Sequence, residues 1–159
     1  SVDENRAAVL AMIQRADSLT TYKVQVMGHG LDASLVASIK GISHMTYVDS
    51  PSDTMLHKAL AASHVVLVHA NHALGVKLKL LHGMARGGHV LAHALATEGL
   101  PYAHSCHVYG DWQDAMGQLA GLAVKVWDSE AVDRRSKDLQ RIVAMQLVAE
   151  QAFKGCVAP

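Results

Sequence analysis

Aromatic side chains are scarce in this chain: one Phe, two Trp and four Tyr among 159 residues. So few rings argue against the base-stacking surfaces of single-stranded nucleic-acid binders. Cysteine is as rare. Cys106 and Cys156 form no spacing motif, which excludes a disulfide framework and fits a reducing, cytoplasmic compartment. Net charge is missing too, since fourteen basic residues cancel fourteen acidic ones. Neither nucleic acid nor an anionic membrane surface would draw in such a chain. No apolar run nears the roughly 20 residues that span a bilayer, and no secretory-signal pattern opens the sequence.

What is present is aliphatic. Half of the chain is hydrophobic, rich in Ala, Leu and Val, which suits helices packed on a sheet. Its length fits a single domain over 1–159 with a continuous core. Asp3 is placed to cap a helix running to about Leu19. Lys23 to Met27 reads as a strand ending at the Gly28-His29-Gly30 turn, and Asp32 or Ser34 opens a short helix that Gly41 stops. Met45 to Val48 is the next strand, followed by a turn whose Pro51 or Ser52 starts a helix through Leu56 and Leu60. Val65–Val68 is an unbroken apolar run, the pattern of a central parallel strand buried on both faces. His89–Ala94 and, more weakly, Ser105–Tyr109 complete the strands, with Ala94–Leu100 as a loop. Two helices follow within about 111–154, one opened by Asp111 and one running from about Ser129 to Ala152. Strands alternating with helices predict an α/β, Rossmann-like, three-layer α/β/α domain with a parallel sheet and right-handed crossovers.

The stretch Gly75–Leu100 carries the chemistry. It reads as a glycine turn, a helix with Leu80 and Gly83 or Met84 at helical spacing, a glycine stop, a strand and a loop. A glycine where strand hands over to helix leaves backbone N–H groups free to meet an anion. Lys77 and Lys79 oppose the helix dipole there, a placement that costs stability and hints at a negatively charged ligand. The competing reading is two solvated lysines on an exposed face.

Gly75-x-Lys77-x-Lys79-Leu80-Leu81, then Met84-Ala85-x-Gly87 and Glu98-Gly99-Leu100, resembles the donor-binding signature of retaining glycosyltransferases of family 4. The resemblance covers roughly residues 2–123 and corresponds to the C-terminal half of a GT-B fold. It implies a hexosyltransferase-class enzyme that binds a nucleoside-diphosphate sugar as substrate, without a resident cofactor or metal. Gly75, Val76, Lys77 and Lys79 would meet the diphosphate, Ser52 and its loop the base, His82 the ribose, and Glu98 and Gly99 the sugar end, with His29 near the cleft. It also implies that the acceptor-binding N-terminal domain, and part of this domain ahead of residue 3, are missing from the chain. Alone, the chain would then bind but hardly turn over, and an uncovered apolar face could pair two copies.

Two departures favour an alternative, a degenerate or non-catalytic binding or assembly module. His72 and His82 stand where the family carries carboxylates, and a neutral imidazole accepts only one hydrogen bond. A third reading, another nucleotide-using Rossmann-like enzyme, is opposed by the incomplete glycine fingerprint at Gly28-His29-Gly30. Eleven histidines raise the question of metal. His89 and His93 lie about 13 Å apart if extended, too far for one ion. His104, Cys106 and His107 offer ligand types but do not share a face, and no zinc motif is present. Cys106 reads as a packed thiol rather than an activated one.

Overall fold

The computed structural model describes residues 2–71, 78–100, 103–128, 130–131, 133–142 and 144, with side chains from Asn5 onward. Helix α1, Val2–Ile13, passes into a short 3-10 turn at Ala16–Leu19 and then strand β1, Val24–Gly28. Asp32 caps α2, Ala33–Lys40, by accepting from the Leu35 amide at 2.9 Å, and Gly41 closes it. Strand β2, Met45–Asp49, leads to α3, Asp53–Ala62, which Ser52 caps through the Met55 amide. Next come β3, Val65–Val68, α4, Leu78–Arg86, and β4, His89–His93. A one-turn helix α5, Ala94–Thr97, precedes β5, His107–Tyr109, and Asp111 caps α6, Trp112–Ala123. Residues 130–131 and 133–142 are again helical.

All paired strands are parallel, so the α/β reading holds. The described strands form two sheets, β1-β2 and β3-β4-β5. In the larger sheet, Val66, Val68, Val90 and Ala92 meet Leu80 and Met84 of α4. The alternate residues Val65, Leu67 and Leu91 meet Ala115, Leu119 and Leu122 of α6. Period-two alternation therefore sends successive side chains into two helical layers, which makes three layers. On the smaller sheet, Val24, Val26, Met45 and Tyr47 face Val9, Met12 and Ile13 of α1 and Ile39 of α2.

Three expectations are corrected. The first helix starts at Val2, with Asp3 inside it, and ends at Ile13 rather than about Leu19. β3 is not central among the described strands: it forms an edge, and three of its four residues are only half-buried. Ala94–Leu100 is not wholly a loop, because α5 forms there with the His93 imidazole as its cap, accepting from the Leu95 amide at 3.3 Å. The junction of α4 and β4 depends on Gly88. A Cβ there would lie 2.5 Å from the His64 carbonyl oxygen and 2.8 Å from that of Ser63, so only glycine lets β4 start against β3.

Candidate functional site

Ligands of open parallel sheets bind beyond the carboxyl ends of the strands. Here the loops after β1 and β2 are tied together at that edge. The Ser50 amide donates to the Gly28 carbonyl at 2.8 Å, and the Tyr47 hydroxyl donates to the Asp49 carboxylate at 2.9 Å. Burial, followed by that carboxylate, pushes the Tyr47 phenol above its ordinary range. Ser50 holds a φ of 45°, an uncommon left-handed conformation for a non-glycine residue. It lies in the loop the resemblance gives to a nucleotide base. Nearby, Ser34 and then the Leu35 amide hold the Asp32 carboxyl below its usual range while Arg6 pairs with it at 2.6 Å.

Beyond β3, β4 and β5 lies a cavity of about 610 Å³, walled on one side by Ala7 and Ala11 of α1 and by Arg15 just after it. Its other wall is a cluster of rings. His69 follows β3, His93 ends β4, and Tyr109 ends β5. Trp112 opens α6. The His69 ring stacks on Trp112 at 5.0 Å, and the Arg15 guanidinium lies 5.2 Å from the Trp112 ring.

Hydrogen bonding fixes the imidazoles. His69 Nε2–H donates to the Asn71 side-chain oxygen at 3.0 Å, so Nδ1 accepts from the Tyr109 hydroxyl at 2.9 Å. His93 Nε2–H donates to the Gly110 carbonyl at 3.1 Å, leaving Nδ1 for the α5 cap. Burial foremost, and then the nearby His93, Lys79 and Arg15, lower the His69 pKa. Burial likewise raises that of Tyr109. Both rings are therefore neutral near pH 7, so His69 and Tyr109 can stack and hydrogen-bond but bring no charge. Among the described lining residues the cation is Arg15, whose Nη1 donates to the Ala11 carbonyl of α1.

Of the residues singled out from sequence, the described ones other than His82 are spread along the same edge. Gly75, Val76, Lys77 and His72 lie outside the described residues. Lys79 is in the first turn of α4, its Nζ 3.3 Å from the Asn5 side-chain oxygen of α1. His29 is exposed after β1, and Ser52 is exposed at the start of α3. Glu98 and Gly99, the latter at φ 73°, follow α5 and are exposed. His82 departs from this pattern. It faces α3, stacking on His57 at 5.9 Å, and its buried Nδ1 has no hydrogen-bond partner among the described residues.

Of the residues singled out from sequence, none of the described ones is among the described residues that line the 610 Å³ cavity. His69, His93, Tyr109 and Trp112 were not found from sequence. Their signal was available: each is at, or within three residues of, the carboxyl end of a strand, where the topology rule directs attention. Among the described residues no three metal-ligating side chains converge. Cys106 packs half-buried beside the core around Val68, and burial pushes its thiol up to about 11, as suits a packed thiol. No helix among the described residues is long and apolar enough to cross a membrane. No protein-family model matches this chain, and no curated protein is significantly similar to it.

Proposed function

We propose that this domain binds a nucleoside-diphosphate sugar along the carboxyl edge of its strands, as the donor half of a cytoplasmic GT-B hexosyltransferase. The observation that carries the reading is the cavity of about 610 Å³ beyond β3, β4 and β5, a volume that suits a small-molecule ligand. In sequence, its His69–Asn71 wall comes just before the segment containing Gly75, Lys77 and Lys79. In sugar transfer, the bond from the anomeric carbon to the diphosphate breaks and one to the acceptor oxygen forms. Charge then builds on the leaving diphosphate, and backbone N–H groups and lysines stabilise such charge. In this reading the acceptor is held by a partner domain, which would also exclude water.

A thermal-shift screen against UDP, GDP, ADP, dTDP and CMP, with and without magnesium, tests the proposal. A ligand at 100 times its Kd adds about 2.7 kcal/mol, which moves the melting temperature by several degrees. One diphosphate should stand out, and Lys77→Ala should abolish its effect. A flat response to all five, or an unchanged response in Lys77→Ala, would sink the diphosphate assignment.

His82 favours a second reading, a degenerate relative that kept the frame and lost the chemistry. Its ring is engaged with His57 on the α3 side. In that case nucleotides bind weakly or not at all, while stability is unaffected by Lys77→Ala.

A further inference from the structure

Three histidines mark the amino end of the larger sheet. His64 stands just ahead of β3, His89 opens β4 and His107 opens β5. The His89 ring lies 5.4 Å from that of His64 and 5.5 Å from that of His107. Two of the three hold the chain where α6 ends. Nε2–H of His64 donates to the Leu122 carbonyl at 2.9 Å, and Nε2–H of His89 donates to the Lys125 carbonyl at 3.2 Å. Trp127 stands edge-on to His89 at 4.7 Å. Arg135, in the helix at 133–142, lies 4.7 Å from the Trp127 ring and donates to the Gly87 and Gly88 carbonyls. Little else holds this stretch. Val124 and Val126 are 85% and 84% exposed, while Leu139 and Ile142 rest, partly buried, on the core around Leu80 and Met84. The pairing of β3, β4 and β5 and the packing of α4 and α6 on them run without it. Such a segment belongs to the low-stability end of a fold.

The closed arrangement suits neutral rings only. Because Nε2–H of His89 already donates to a carbonyl, a further proton must go to Nδ1. That atom is buried and has no partner among the described residues, and the whole residue is 3% exposed. An imidazolium there is a buried charge with an unpaired donor, costly on both counts. Its surroundings offer no relief. His64 faces it from the β3 side, His107 from β5, Lys125 from the tail of α6 and Arg135 from the helix at 133–142, with the Cys106 thiol near Arg135. Arg86 lines the adjoining cavity with His64 and Trp127. Asp128, next to Trp127 in the chain, pairs outward with Arg134 at 3.7 Å, and no carboxylate among the described residues pairs with the cations named here. Burial, reinforced by these like charges, lowers the pKa of His89 and of His107.

We propose that this end is an acid-operated latch: protonation of His89 and His107 releases the stretch carrying Lys125, Trp127 and Arg135 while the three-stranded sheet stays folded. Opening lets His89 take a proton on Nδ1 and give both of its N–H groups to water. The Lys125 carbonyl and the edge of Trp127 then lose the ring that seats them. Charge on the two imidazoles also repels Arg135, the remaining tie to the sheet through Gly87 and Gly88. With Arg135 released, Leu139 and Ile142 uncover part of the core around Leu80 and Met84. A histidine cluster that biases a two-state element is the general form of a pH switch. The latch does not rest on the donor reading.

Hydrogen exchange of the intact chain between pH 7.5 and 5.5, corrected for the intrinsic rate, tests the proposal. At every pH the helical amides at 133–142 should open at least about tenfold more readily than those of Leu91 and Ala92 in β4, as befits local opening. Below pH 6.5 their opening should rise by up to about tenfold per pH unit for each proton taken up. His89→Gln keeps an N–H donor and should remove about one proton from that slope. His107→Gln is the second variant, since its ring meets that of His89 and its loss spares the Lys125 bond. Equal opening of the two sets of amides at every pH would mean that acid acts on the whole fold, and would overturn the latch. So would opening at 133–142 that ignores pH. A slope unchanged in both variants would place proton uptake elsewhere and overturn the assignment to His89 and His107. Nucleotide enters none of these readouts, so failure here is separable from failure of the donor screen.

Discussion

The two ends of the β3-β4-β5 sheet use the same residue types for opposite purposes. At the carboxyl end, His69 and His93 wall a cavity with Tyr109 and Trp112. At the amino end, His64 and His89 stitch the tail of α6 to the sheet. His64 Nε2–H donates to the Leu122 carbonyl at 2.9 Å and His89 Nε2–H to that of Lys125 at 3.2 Å. His107 packs edge-on against His89, and so does Trp127. Each end also has an arginine over an indole, Arg15 on Trp112 and Arg135 on Trp127. Arg15 is half-buried beside open space, while Arg135 is 4% exposed and donates to the Gly87 and Gly88 carbonyls. The first arrangement leaves room for a ligand, and the second closes the fold. Residue type alone could not have told them apart.

The sharpest way to break the closed end is Gly88→Ala. The added Cβ meets backbone oxygens rather than flexible side chains, so β3 and β4 must separate. We expect a loss of about 3 kcal/mol and a melting temperature lower by roughly 10 °C. A loss below about 1 kcal/mol would show that the two strands part easily.

Arg135→Leu comes next. Two buried carbonyls lose their donor and Trp127 loses its cation, together costing about 2 kcal/mol. Arg15→Leu repeats the change at the open end, where the same stacking is partly solvated and should matter by less than about 1 kcal/mol. Denaturant melts of the two variants test the contrast directly. Equal losses would mean that the carboxyl-end cluster is as structural as the other.

Much of this frame was legible in the sequence, and the misses share a cause. Asp32, Ser52 and Asp111 were readable as caps because a short polar side chain before an apolar period has a local role. Leu80 and Met84 were readable as core because helical spacing is local too. The edge position of β3 was not, since Val65–Val68 states only that it is apolar, and which strands flank it depends on the order of the whole sheet. α5 was missed because an imidazole does the work of its cap. The ring wall of the cavity joins residues 40 or more apart in sequence, such as His69 and Tyr109, which no window of periodicity connects.

Acid should weaken the amino end, and buried His69 adds a loss of the same sign at the carboxyl end. Burial, more than any other cause, lowers the pKa of both His89 and His107, and no carboxylate among the described residues pairs with His89, His107, Lys125 or Arg135. Unfolded imidazole titrates near 6.5. Below that value the unfolded chain takes up protons that the folded one resists. Stability is therefore complete above about pH 6.5 and declines as pH falls from there through the folded-state values. Melting temperatures at pH 7.5, 6.5 and 5.5 should show this decline, and His89→Gln, which keeps an N–H donor but cannot titrate, should flatten it. An unchanged slope in His89→Gln would place the acid sensitivity elsewhere.

The smallest expected effect bears most directly on function. Among the described residues, the buried Nδ1 of His82 has no partner, a cost that an apolar replacement of similar size removes. His82→Leu should therefore be neutral or stabilise by up to about 1 kcal/mol, keeping its packing against α3. If the ring also accepts a ribose hydroxyl, the same variant should lose about tenfold in nucleotide affinity, one hydrogen bond's worth. The two readouts divide the readings cleanly. Stability held with affinity lost makes His82 a ligand contact despite its stacking on His57. Stability held with affinity unchanged removes it from the donor site. In the donor reading, ribose would then fall to another group, and Glu98, exposed after α5, is a carboxylate able to accept two hydroxyls.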